Sequence, residues 1–196
     1  MKVLLLGPHA KELGDDLGGA QIFHSDSPES TRTYLLEEPD WTISFGYKHI
    51  IPRDLLSIGK GYVLNVHISL LPWNRGMHPN FWSWLENTPK GVSIHLIDDG
   101  IDTGPLLGQK EILLDSGMTL RETYDELQNH AKQLFRSLWP DFREGNVRSF
   151  PQKDFAGSFH RASDLERYMG AFPDGWDTEC SLVREFGRRV GAWIMQ

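Results

Sequence analysis

Two segments of this 196-residue chain carry side chains whose types and spacing could do chemistry. The first is Asn65-Val66-His67-Ile68-Ser69-Leu70-Leu71-Pro72, at the polar end of the apolar run Tyr62-Val63-Leu64. Read as a strand, that run alternates its side chains, so Asn65 and His67 share one face. An amide keeps its protons near neutral pH, whereas an imidazole can change charge there. Side by side, the two could polarise a carbonyl and manage a proton. Polar residues at a strand end can equally be turn-formers satisfied by nearby backbone. The second segment is Asp98-Asp99-Gly100-Ile101-Asp102-Thr103-Gly104-Pro105, three carboxylates and two glycines between two apolar runs. It reads as a solvated acidic turn or as the source of a carboxylate for His67. The alternate ligand spacing and distant closing Glu of a calcium loop are not there.

Several elements must position these segments. Lys2–Leu6 is a valine and leucine run stopped by Gly7-Pro8, a buried first strand. Gln21–Ser25 is a second strand. Ser27 before Pro28 is an N-cap followed by proline at the first helical position, so a helix should run through Thr31–Glu38. Asp40–Phe45 is a third strand ending at Gly46. A helix over Arg53–Ile58 closes at Gly59-Lys60-Gly61, and Tyr62–His67 is the fourth strand. Asn80–Asn87 is aromatic and helix-like, Val92–Ile97 alternates as a strand, and Leu106–Leu114 is expected antiparallel to it. Leu120, Tyr124, Leu127, Ala131, Leu134 and Leu138 recur at helical steps, predicting a long helix over Leu120–Glu144 that Pro140 kinks or ends. Strand–helix alternation followed by a hairpin implies an α/β fold: a mostly parallel sheet with an antiparallel hairpin and flanking helices. Sites in such sheets lie beyond the carboxyl ends of the strands, where Asn65 and His67 fall.

Composition narrows the function. Hydrophobic residues are 39 % of the chain, with ten Phe, seven Trp and five Tyr, enough for a full core. One cysteine, Cys180, excludes an internal disulfide and suits a reducing compartment. No apolar run approaches the roughly 20 residues of a membrane span, and the N-terminus lacks a signal-peptide pattern, so a cytoplasmic protein is expected. Twenty basic against 27 acidic residues give a net charge of −7, which argues against nucleic acid as a partner. Gly7-Pro8-His9 and Gly59-Lys60-Gly61 lack the glycine-rich fingerprints of nucleotide loops. No metal is expected: His67, His78 and His95 have no zinc-ligand spacing, and His95 reads as a satisfied interior histidine.

The segment Asn65–Pro72 resembles the Asn-x-His-x-Ser-Leu-Leu-Pro signature of folate-dependent formyltransferases, and Gly91-Val92-Ser93-Ile94-His95 followed by Asp98–Pro105 resembles the same family's strand and folate loop. The match is strong over about Trp41–Lys110. It implies a Rossmann-like formyltransferase fold and transfer of a formyl group from 10-formyltetrahydrofolate to a primary amine. By that resemblance Asn65, His67 and Asp102 are catalytic: Asn65 donates to the formyl oxygen, His67 stabilises its charge and assists proton transfer, and Asp102 orients His67 or a water. Folate contacts are expected from Phe45, Tyr47, His49 and Ile50, and from Leu96 and Asp98. The aromatics Phe45 and Tyr47 also read as ordinary core.

The stretch from Leu71-Pro72-Trp73-Asn74-Arg75-Gly76 to Phe81-Trp82, with Gly157–Leu165, is most similar to sugar N-formyltransferases and to formylation domains of peptide synthetases. It implies a small-molecule amine acceptor, a nucleotide-linked amino sugar, with Arg75 and Trp82 on the acceptor side. The acidic chain and the lack of a further C-terminal domain count against a tRNA acceptor. The alternatives are an aminoacyl or carrier-bound amine, or hydrolysis of formyltetrahydrofolate. Residues 1–150 are expected to form the catalytic core, and 151–196 an extension packed on that core or in a homodimer interface.

Overall fold

The structure, a computed structural model, describes residues 1–56, 61–153 and 157–194. Six strands form one sheet in the order β2-β1-β3-β4-β6-β7: β1 (Lys2–Leu6), β2 (Gln21–Ser25), β3 (Trp41–Ser44), β4 (Tyr62–His67), β6 (Gly91–Leu96) and β7 (Leu106–Glu111). The sheet is mostly parallel with one antiparallel hairpin, as expected for the family fold. A two-residue strand β5 (Arg75–Gly76) pairs in parallel with β8 (Phe159–His160). Helices are α1 (Pro8–Lys11), α2 (Pro28–Leu35), α3 (Arg53–Leu56), α4 (Pro79–Leu85), α5 (Leu120–Arg143), α6 (Ala162–Met169) and α7 (Cys180–Arg189). No helix among the described residues is long and apolar enough to cross a membrane.

The chain divides into two compact units. Unit 1 comprises Met1–His67, Ile94–Gly108 and Phe135–Pro151. Its central strands β1 and β3 are buried almost throughout: Val3–Leu6 form an apolar run, and in β3 the small polar Thr42 and Ser44 are buried beside Trp41 and Ile43. Leu4 and Leu6 pack with Leu35, Ile51 and Leu55. Helix α2 starts where the Ser27-Pro28 pair directs it: Ser27 accepts a hydrogen bond from the Ser30 amide, and the helix ends at Leu35, three residues before the expected end. The expected helix from Arg53 is described as far as Leu56; its remainder and Gly59-Lys60 lie outside the described residues.

Pro140 does not end α5, which continues to Arg143. The proline sits one turn from the terminus, where a single ladder bond is lost, and its neighbours are anchored. Trp139 packs edge-on against Trp41 at 5.7 Å between ring centroids, and Phe142 stacks on Trp41 at 5.3 Å. Aromatic packing outweighs the local proline effect. At the other end, the Thr119 hydroxyl accepts from the Glu122 amide while the Glu122 carboxylate accepts from the Thr119 amide at 2.8 Å, a reciprocal cap.

Unit 2 comprises Ile68–Ser93, Gln109–Leu134 and Gln152–Gln196. Its core joins α4 and α7 through Phe81, Leu85, Phe172 and Val183. Gly187 lies so close to the Leu85 carbonyl that any β-carbon would overlap it, which sets how near the two helices approach. Cys180 is buried here, and burial pushes its thiol up to about 11. Lys90 donates to the Ser83 and Thr88 carbonyls at 2.9 and 2.7 Å, and its ammonium sits 4.3 Å from the centre of the Trp84 ring.

Burial, reinforced by the Arg184 charge, pulls the Lys90 ammonium down to about 8 from 10.5. Between those values the unfolded chain binds more protons than the folded one, so this position adds stability as pH rises. The Tm of the parent should therefore climb relative to that of a Lys90→Met variant as pH is raised from 8 to 10. Parallel Tm-versus-pH curves for the two proteins would contradict the assignment.

Candidate active site

The site lies within unit 1, at the carboxyl ends of β3, β4 and β6. Parallel register sets Ser44 of β3 beside Asn65 of β4, which brings the loop after Phe45 to the same end as Asn65 and His67. The end of β6 arrives there too, because Asn65 Nδ2 lies 3.4 Å from His95 Nε2. Beyond β6, the segment 97–105 returns Asp102 to these residues. Asp102 has a positive φ of 54°, in the left-handed region that Asp and Asn tolerate better than most side chains. Within this loop, Asp98 accepts from the Gly100 amide at 3.0 Å and the Thr103 hydroxyl at 2.6 Å. The Leu96 amide donates to the Pro105 carbonyl at 2.9 Å, closing the base of the loop.

The geometry brings the three expected catalytic residues together. Asn65 Nδ2 donates to Asp102 Oδ1 at 3.1 Å. His67 Nδ1 stands 3.7 Å from Asp102 Oδ2, within charge contact but longer than a hydrogen bond. The His67 and Asp102 side chains are 8 % and 11 % exposed, so the carboxylate acts across little water and its pull on the imidazole is weakly screened.

His95 is a fourth member that the sequence reading set aside. It is buried, its Nε2 is 3.3 Å from Asp102 Oδ1, and its Nδ1 is 2.8 Å from the Leu96 carbonyl oxygen. A carbonyl can only accept, so Nδ1 must carry a hydrogen. A neutral ring then accepts from Asn65 through Nε2, whereas a charged ring donates to Asp102. Either way His95 steers the two groups that flank His67. Only the pairing of β6 beside β4 reveals this; in the sequence the one hint is a histidine a short step before the acidic loop.

The other expected residues fall differently. The Phe45 side chain is enclosed in the core, 5.3 Å from the His9 ring, so its ring face is not open to a ligand. Tyr47 is half-buried, its hydroxyl 2.8 Å from that of Thr31, with the His49 ring edge-on at 5.2 Å. Ile50 is 78 % exposed. In unit 2, Trp82 is 3 % exposed, and His160 stacks on it at 3.8 Å with an 8° interplanar angle, so the indole has no face to offer an acceptor. His160 in turn pairs with Glu86 at 2.9 Å, and Asn74 donates to the same carboxylate at 3.0 Å. Arg75 donates to Gln152 Oε1 at 2.7 Å. The loop after the Asn65–Pro72 segment is thus held by residues near 160, a role that Trp82 and His160 share.

The sequence profile of the formyl transferase family matches residues 20–138, and the chain belongs to that family. It is 34 % identical over 125 residues to the methionyl-tRNA formyltransferase of Myxococcus xanthus, covering 63 % of this chain and 39 % of that one. The chain spans between 39 % and 57 % of the length of five curated methionyl-tRNA formyltransferases it matches. Among solved structures it resembles the formyltransferase PseJ from Anoxybacillus kamchatkensis, crystallised with UDP-4,6-dideoxy-4-formamido-L-AltNAc and tetrahydrofolate. That similarity has a TM-score of 0.87 and 40 % identity, over 95 % of this chain and 100 % of that one. A 4-N formyltransferase from Francisella tularensis shares the fold, with a TM-score of 0.73 and 18 % identity over 93 % of this chain and 86 % of that one.

The His95 geometry yields a direct expectation. In 15N-detected NMR of the imidazoles, His95 should show a protonated Nδ1. An Nδ1-deprotonated ring would contradict the described hydrogen bond to Leu96.

Proposed function

We propose that the protein transfers a formyl group from 10-formyltetrahydrofolate to a primary amine on a nucleotide-linked amino sugar. The observation that carries this reading is the convergence of Asn65, His67 and Asp102 at one end of the sheet, in the arrangement that acyl transfer to an amine requires. The 40 % identity to PseJ over the whole of that chain supports the choice of acceptor.

Folate, when bound, supplies the formyl carbon. The loops that would hold it are those after β3 and β6. Their exposed apolar side chains, Ile50 and Ile101, suit the cover of a flat ring system, and the Leu96 and Asp98 backbone lies at the base of the second loop. As an amine adds to the formyl carbon, negative charge grows on the formyl oxygen. The Asn65 amide has two N–H groups: Asp102 holds one and so sets the plane of the amide, and the other, beside His95 Nε2, is the donor that turns to that oxygen. His67 takes up the proton that the attacking nitrogen must lose. Asp102 stabilises the imidazolium that results, and His95 holds Asp102 and Asn65 in place.

Identity to the Myxococcus xanthus enzyme favours a second reading, an aminoacyl amine as acceptor. The test is an assay with 10-formyltetrahydrofolate and a panel of UDP- and dTDP-linked 3- and 4-amino sugars, methionyl-tRNA, and a no-acceptor control. Mass spectrometry should find one formyl group added to an amino-sugar nucleotide. Formylation of methionyl-tRNA alone would favour the second reading, and folate consumption only in the control would replace transfer by hydrolysis.

A further inference from the structure

Strand β4 ends at His67, and the chain then leaves the strand through Ile68-Ser69-Leu70-Leu71-Pro72. A segment that turns away from its ladder must find other partners for its peptide groups. Two side chains of unit 2 provide them here. Ser93, on β6, is fully buried; its hydroxyl donates to the Ser69 carbonyl at 2.7 Å and accepts from the Leu71 amide at 3.1 Å. Gln109, on β7 and half-buried, donates from Nε2 to the Leu71 carbonyl at 2.8 Å and to the Ser93 hydroxyl at 2.9 Å.

The donor directions in this cluster are forced. The Leu71 carbonyl can only accept, so the end of the Gln109 amide that faces it is the nitrogen. The Ser93 oxygen takes one N–H from Leu71 and one from Gln109 on its two lone pairs, so its single hydrogen goes to Ser69. The hairpin supplies the pairing: the Ile112 amide bonds the Lys90 carbonyl at 2.9 Å, which draws Gln109 up beside Ser93. In the sequence Gln109 is a polar residue in the second strand of that hairpin, with nothing to mark its reach to Leu71.

The place of Ser93 on β6 gives the cluster its meaning. Ser93 and His95 are two apart on the strand, so their side chains point to the same face. His95 lies beside Asn65, two residues before His67, and Ser93 bonds Ser69, two residues after it. We propose that Ser93 and Gln109 are positioning residues for formyl transfer: by fixing the backbone at Ser69 and Leu71, they set the direction in which β4 presents His67. Neither touches the reacting atoms. A misplacement of about 1 Å at a reacting group costs about 100-fold in rate, so a small shift of this backbone registers in turnover. The inference rests on transfer to an amine, as proposed above, whichever amine accepts the group.

The test measures kcat, acceptor KM and tetrahydrofolate Kd for the full chain and for Ser93→Ala, Ser93→Thr and Gln109→Met. The acceptor is the amine of the panel above that the parent formylates fastest. Gln109→Met keeps the length of the side chain and loses both donors, at a half-buried position that the fold absorbs more easily than a core one. In Ser93→Ala and Gln109→Met, kcat should fall about ten-fold or more, with KM and Kd within about two-fold of the parent. Ser93→Thr should recover most of the loss in Ser93→Ala, because it restores the hydroxyl. A role in packing alone predicts the reverse order, since threonine adds a methyl group to a fully enclosed site. Parent-like kcat in Gln109→Met, a loss matched by weaker folate binding, or a threonine variant no faster than the alanine one would overturn the proposal while leaving the transfer reading intact. A parent that formylates no amine would overturn that reading and this inference with it.

Discussion

The hydrogen bond from Asn65 Nδ2 to Asp102 Oδ1 joins the end of β4 to a loop 37 residues further along the chain. Much of unit 1 serves to make that contact. The parallel register of β3 and β4 fixes the height of Asn65, and β6 brings the chain back to the same level. The left-handed conformation at Asp102 then turns the carboxylate inward. A residue with φ near +54° would ordinarily be Gly or Asn; the carboxylate is kept at a modest conformational cost, as often happens where a side chain is needed for chemistry. The benefit is an amide whose donor direction is already set and a negative charge beside an imidazole in a place with little water.

His95 extends this logic. Its ring is locked by the Leu96 carbonyl, and its other nitrogen meets both Asn65 and Asp102. The site is therefore a closed set of four polar groups in which each restrains another. Such a network specifies one arrangement only if all members are satisfied, which is why the supporting histidine is as buried as a core residue.

The strands of the sheet were legible because apolar runs bounded by Gly, Pro and Asp have few alternatives, and the Ser27-Pro28 pair writes a helix start directly into the chain. What could not be read depended on distant packing. Pro140 read as a kink or an end because Trp41, which anchors Trp139 and Phe142, lies far away in sequence. His95 looked inert because nothing in its neighbours says which strand lies beside it. Trp82 looked available until His160, from the far end of the chain, was found covering it. The motif at Asn65–Pro72 and the acidic loop named the three residues that meet at the end of the sheet, Asn65, His67 and Asp102.

Asn65, His67, His95 and Asp102 all sit in unit 1. The central claim is that Asn65 acts on the transition state and not on folate binding. The most direct measurement is the single-turnover rate of formyl transfer by Asn65→Ala, taken together with its tetrahydrofolate affinity. The account predicts a rate lower by about 100-fold or more with folate affinity unchanged, the scale for losing one preorganised donor to an oxyanion. A rate near that of the parent, or a loss explained wholly by weaker folate binding, would contradict it.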